Sequence, residues 1–220
     1  MPCHPAGKNA QRGLTLVSLL VGLIISMVLI VATLMLFQSM VRITATARSE
    51  ARTETLRSAA FLGAGMALQN AGYGLAAAQI GTHLLVLPNA SLDADGTLTA
   101  SAHAAAGNAV VWAQAIDGST RCQALLSPAA GGLLQLHSAE NCADATGFGS
   151  LTWTPHTLIP AQHPAIDVTF SWAAQPCSPF GIVAAPQTDK VQLTLSTAHH
   201  NGVPLATSLC LSNLAAEESP

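Results

Sequence analysis

The chain has 220 residues and a net charge of −3, with 50% hydrophobic and only 9% charged residues, where ordinary soluble domains carry about a quarter charged. That hydrophobic share excludes a disordered polar chain, and eight basic residues against eleven acidic ones argue against a protein built to coat itself in phosphate. The length allows one membrane segment and one globular domain of roughly 150 residues.

The first element is a leader, residues 1–13, that carries Lys8 and Arg12 and ends in Gly13. A charge-free run follows from Leu14 to Phe37. As a helix, residues 14–37 rise about 36 Å, against a hydrocarbon core of about 30 Å, which predicts a spanning helix with some tilt. A secretory signal has an apolar core of only ~7–15 residues before a small-residue cleavage site. This run is longer and passes without a break into a polar helical pattern, so the helix is expected to be retained. Arg42, Arg48 and Arg52 follow the run as Lys8 and Arg12 precede it, so basic residues alone do not orient it.

Residues 38–70 contain no proline and read as a stalk helix. Leu56, Ala59/Ala60, Gly63 and Met66/Ala67 recur at three- and four-residue spacing, which predicts a narrow apolar face against the globular domain. Arg48 and Arg52, and likewise Glu50 and Glu54, place like charges at i, i+4, an arrangement that slightly destabilises an isolated helix. Opposite charges on neighbouring subunits would relieve it; a solvated face is the plainer reading. Gly72 and Gly74 are expected to stop the helix.

Two blocks give these elements a family likeness. The basic leader, Gly13, the run Leu14-Thr15-Leu16-Val17 and the long apolar helix resemble the type IV prepilin class. Leu68-Gln69-Asn70-Ala71-Gly72-Tyr73-Gly74 is similar to the Ala-Gly-Tyr segment that closes the N-terminal helix of PilW-like minor pilins. The resemblance implies cleavage between Gly13 and Leu14 by a prepilin peptidase and methylation of the new terminus at Leu14. It implies an inner-membrane protein with its C-terminal domain in the periplasm, later at the pilus and cell surface, whose partners are other minor pilins and the major pilin. The chain departs from the family at the fifth mature position, where Ser18 stands in place of the usual glutamate. That glutamate pairs with a neighbouring subunit's amino terminus, and a buried carboxylate without such a partner costs several kcal/mol. A subunit with no partner there does better without the charge; drift in a minor subunit accounts for the serine equally well.

From residue 71 the pattern changes to short strands. Leu84–Leu87, Ala109–Ala113, Leu133–His137, Leu151–Trp153, Ile166–Trp172, Gly181–Ala184, Val191–Thr197 and Leu205–Leu211 are the candidates. Val191, Leu193 and Leu195 alternate with polar residues as a half-buried strand does. Asn201-Gly202 is a hairpin signal, and Asp95-Gly96 and Asp117-Gly118 are weaker ones. The expected fold is α+β: a long N-terminal helix packed on a mainly antiparallel sheet in a 71–220 domain. Cys3 lies in the leader. Cys122, Cys142, Cys177 and Cys210 have no Cys-x-x-Cys spacing, which disfavours zinc and thioredoxin-like sites and suits two disulfides in an oxidising compartment. Three pairings are open; chain order alone favours Cys122–Cys142 with Cys177–Cys210.

Signals for other chemistry are weak. Asp93-x-Asp95-Gly96 opens like a calcium loop but lacks its later oxygen ligands, and a turn is the better reading. His199 and His200 would point to opposite faces of a strand. No Gly-x-Ser-x-Gly or His-Glu-x-x-His motif is present, so no catalytic, metal or cofactor site is expected. Residues 71–220 hold two basic residues, Arg121 and Lys190, against nine acidic ones, a net of −7, which argues against direct nucleic-acid binding. The expectation is a minor pilin acting in filament initiation or at the tip. A minor pseudopilin of a type II secretion system and a membrane-anchored adhesin are the alternatives.

Overall fold

The computed structural model describes residues 15–161, 166–179, 189–197 and 205–216. The chain divides into two units, residues up to 54 and residues from 55 onward. One helix, α1 (Leu16–Leu68, 53 residues), contributes to both. Among the described residues eleven strands follow, mostly antiparallel, so the fold is α+β with one long N-terminal helix.

In the second unit the strands form two main sheets. The larger has the order β1 (Leu84–Leu87), β5 (Ala109–Ile116), β6 (Ser119–Leu126), β7 (Leu133–Asn141) and β8 (Trp153–Ile159). The smaller runs β11 (Leu205–Ala215), β10 (Asp189–Thr197), β9 (Val168–Pro176) and β4 (Ala106–Gly107). A hairpin of β2 (Ser91–Leu92) and β3 (Leu98–Thr99) and a short 3-10 turn at Ala145–Ser150 complete it.

Strand periodicity decides where the core sits, because successive side chains leave opposite faces of a sheet. In β1 and β5, Leu84, Val86, Val110 and Trp112 enter one apolar cluster with Phe61, Ala64 and Leu68 of α1 and Phe170, Val191, Leu193 and Leu195 of the smaller sheet. Leu85, Leu87, Ala109, Val111 and Ala113 enter a second cluster on the other face, closed by Leu98, Ala145 and Trp153. Burial on both faces explains why Ala109–Ala113 is a continuous apolar run instead of an alternating one.

The end of α1 departs from the expected face. The buried residues are Arg57, Ala60, Phe61, Ala64, Gly65 and Leu68, whereas Leu56, Gly63 and Met66 are exposed. The face is turned because the large Phe61 and Leu68 side chains take the core, and small residues between them let the sheet approach. A Cβ on Gly65 would stand 3.4 Å from a Leu209 methyl. The helix stops at Leu68, and turns carry the chain through Gly72 (φ +75°) and Gly74 (φ +73°). Both lie in the left-handed region that favours glycine, and a Cβ at Gly74 would be 2.4 Å from the Ala115 carbonyl oxygen.

One unexpected strand and three strand expectations need comment. Ser119–Leu126, unassigned from sequence, is β6, folded back on β5 through Asp117-Gly118 with both turn residues at positive φ, as a two-residue hairpin of the primed type requires. Leu151–Trp153 is not a strand: Leu151 caps the 3-10 turn, and β8 begins only at Trp153. Ile166–Trp172 starts two residues late and runs on to Pro176. Gly181–Ala184, Asn201-Gly202 and His199-His200 lie outside the described residues.

Candidate functional site: an apolar helix and a stapled domain

The first part of α1 has the surface a lipid or a helix partner would meet. From Leu16 to Val41 every residue is exposed, including Leu16 at 80% and Phe37 at 66%. This is the one helix among the described residues long and apolar enough to cross a membrane. Three hydroxyl side chains within it bond to backbone carbonyls three or four residues earlier. The Ser18 hydroxyl donates to the Thr15 carbonyl at 2.8 Å, Ser26 to Gly22 at 2.8 Å and Thr33 to Ile30 at 2.9 Å. Such back-bonding removes the cost of an unsatisfied hydroxyl in hydrocarbon. Gly13 and Leu14 lie outside the described residues.

The four cysteines beyond the helix are brought together in pairs. Cys122 of β6 joins Cys142 just after β7, with Cα atoms 5.8 Å apart. Cys177, just beyond β9, joins Cys210 of β11 across the intervening β10, at 5.7 Å.

Asp144 fixes the chain directly after the first disulfide. Its carboxylate caps the 3-10 turn, accepting from the Thr146 amide at 2.8 Å and the Thr146 hydroxyl at 2.5 Å. The Thr146 hydroxyl bond is the main reason its pKa lies below the ordinary carboxylate value; partial burial opposes the shift, and the Thr146 amide and His83 add to it. Because the folded-state value is the lower one, the cap's contribution is present above the unfolded pKa and is lost as pH falls through the folded pKa. Asp144→Ala is expected to destabilise the domain by about 0.5–2 kcal/mol at neutral pH. Urea midpoints of the two proteins should converge below about pH 4, and a constant difference down to pH 2 would contradict this assignment.

The remaining motifs are structural where they are described. Asp93-x-Asp95-Gly96 forms the β2–β3 turn: the Gly96 amide donates to the Asp93 carbonyl, and the Thr97 amide to Asp95 Oδ1. His103 stacks on Trp172 with ring centroids 5.7 Å apart, and its Nδ1 accepts from the Val86 amide. Among the described residues no three His, Cys, Asp or Glu side chains converge on a metal-sized site. Sequence reading missed an apolar groove of about 430 Å³ between the end of α1 and β11, lined by Leu62, Gly65, Met66, Gln69, Leu205 and Leu209 among others. Its residues are far apart in the chain, so no local motif marks it. Comparison of the chain with protein-family models, with curated proteins and with solved structures finds no match.

Proposed function

We propose that the chain is a minor pilin of a type IV pilus, acting in initiation or at the tip of the filament. The observation that carries this reading is a single helix that begins as an exposed, charge-free apolar span and ends as a wall of a disulfide-stapled β domain. The likeness of residues 1–17 and 68–74 to prepilins supports it. In this reading the inner membrane holds the precursor, a prepilin peptidase frees Leu14, and the apolar helix exchanges lipid for the helices of other minor pilins and the major pilin. No cofactor takes part. A strain lacking the chain should lose most surface pili and keep type II secretion intact. Lost secretion with pili retained would instead make the chain a pseudopilin.

Position within the complex is testable at Ser18. A subunit at the top has no amino terminus above it to pair with a carboxylate, so Ser18→Glu should give no gain in pilus number and a loss through the cost of a buried charge. Ser18→Ala should match the wild type, since the hydroxyl bonds only within its own helix. A clear rise in pilus number with Ser18→Glu would place the subunit beneath another.

A further inference from the structure

Residues 44–55 of α1 are all alanine, serine or threonine apart from Arg48, Glu50, Arg52 and Glu54. In a helix of 3.6 residues per turn, Arg48 and Arg52 stack one turn apart on one face, and Glu50 lies about 160–200° away, on the opposite face. All three of these side chains are exposed. None has an opposite charge within reach along the helix, where only positions three and four apart face each other. Those positions around Glu50 hold Thr46, Ala47, Thr53 and Glu54, and those around Arg48 and Arg52 hold no carboxylate. Glu54, one turn beyond Glu50, is half-buried and engaged within its own chain.

The heights of these charges match as well as their signs. Glu50 lies midway between Arg48 and Arg52 in the sequence, about 3 Å from each along the axis. Consider a parallel helix with no axial offset, turned so that its Glu50 face meets the Arg48 and Arg52 face. It seats one carboxylate between the two guanidinium levels and offsets the repulsion between the arginines. Two copies anchored by the same apolar run stand at the same depth in a membrane, which fixes both the parallel sense and the zero offset. The small residues at the other positions let such helices come close.

We propose that this stalk segment is an interface between copies of this chain, in which Glu50 of one copy sits between Arg48 and Arg52 of the next. The occupant is a second copy because the charges complement the chain's own pattern in sign, spacing and height. The two faces are opposite each other, so contact is front to back. Each copy keeps one face of each sign open, and copies line up in rows instead of closing a pair. Exposed ion pairs add little affinity; they set partner and register, while the exposed apolar run supplies contact area. The inference rests on the membrane-anchored helix of the reading above.

The test uses the full-length protein with a donor or an acceptor fluorophore at its C-terminus, reconstituted in phosphatidylcholine vesicles, which carry no net charge to attract the arginines. Energy transfer should exceed that of random mixing and fall when unlabelled protein is added. Arg48→Glu with Arg52→Glu should raise the protein-to-lipid ratio needed for half-maximal transfer about fivefold or more, and so should Glu50→Arg, because each sets like charges face to face. Mixing the two variants should restore the wild-type value, since each supplies the sign that the other lacks. Tryptophan-monitored unfolding of the domain should be unchanged throughout. Transfer no higher than random, no response to either reversal, or no recovery in the mixture would overturn the proposal while the helix remains anchored. Protein that fails to float with the vesicles would overturn the anchored reading, and this interface with it.

Discussion

Gly13→Val should leave the protein at full length in a cell with an active prepilin peptidase, and pili that depend on it should disappear. Under the proposed function the wild-type protein loses residues 1–13 and begins at Leu14. A β-branched side chain directly before the cut obstructs a site that the family reserves for glycine. The leader carries Lys8 and Arg12, and each basic residue placed at the centre of a hydrocarbon layer costs about 2.5–3.5 kcal/mol. A retained leader therefore still permits anchoring, with its charges at the membrane surface, but opposes entry of the helix into an apolar filament core. Intact-mass measurement of membrane-extracted protein separates the outcomes. Wild type at full length, or wild type cut beyond Phe37, would refute the precursor reading.

The parts of the fold that were legible in sequence are those where burial is one-sided and regular. The helix shows itself because nothing from Leu14 to Phe37 is charged, and β10 because Val191, Leu193 and Leu195 alternate with polar neighbours and enter the core together. β6 was not legible because Thr120, Arg121 and Gln123 break its apolar pattern; only Leu125 reaches the main cluster, and Cys122, Ala124 and Leu126 face the other way. The Asp117-Gly118 turn was the signal that could have found it. β8 is an edge strand with four consecutive exposed residues, one of them a proline, a composition that reads as loop. The apolar face of α1 was assigned from spacing alone, and spacing cannot tell which of two overlapping stripes meets the sheet. Bulk decides that: Phe61 and Leu68 are buried, while Leu62 and Met66 are left facing the groove. The groove's two walls come from opposite ends of the chain, so it exists only once the domain has folded.

Reduction of the two disulfides is the second change expected to have a large effect, and the two should act separably. In the loop-closure account a cross-link removes entropy from the unfolded chain in proportion to the logarithm of the loop it closes. Sequence separations of 20 and 33 residues then correspond to about 3–4 kcal/mol each, a large share of the 5–15 kcal/mol that holds a typical domain together. Cys122→Ser with Cys142→Ser should loosen the second apolar cluster and the Asp144 turn. Cys177→Ser with Cys210→Ser should free β11 from the end of β9. Trp112, Trp153 and Trp172 all lie in the strands of this domain, so their fluorescence reports its unfolding without interference from the exposed apolar part of α1. Urea titration of the full-length protein in nanodiscs should show a lower midpoint for each double variant and a further fall when all four cysteines are replaced. Hydrogen exchange should rise most in β11 for the Cys177/Cys210 variant and most around β6 and Ala145–Ser150 for the Cys122/Cys142 variant. Non-reducing peptide mapping of the membrane-extracted protein should recover both cross-links. Four free thiols together with an unchanged urea midpoint on reduction would refute the stapled domain.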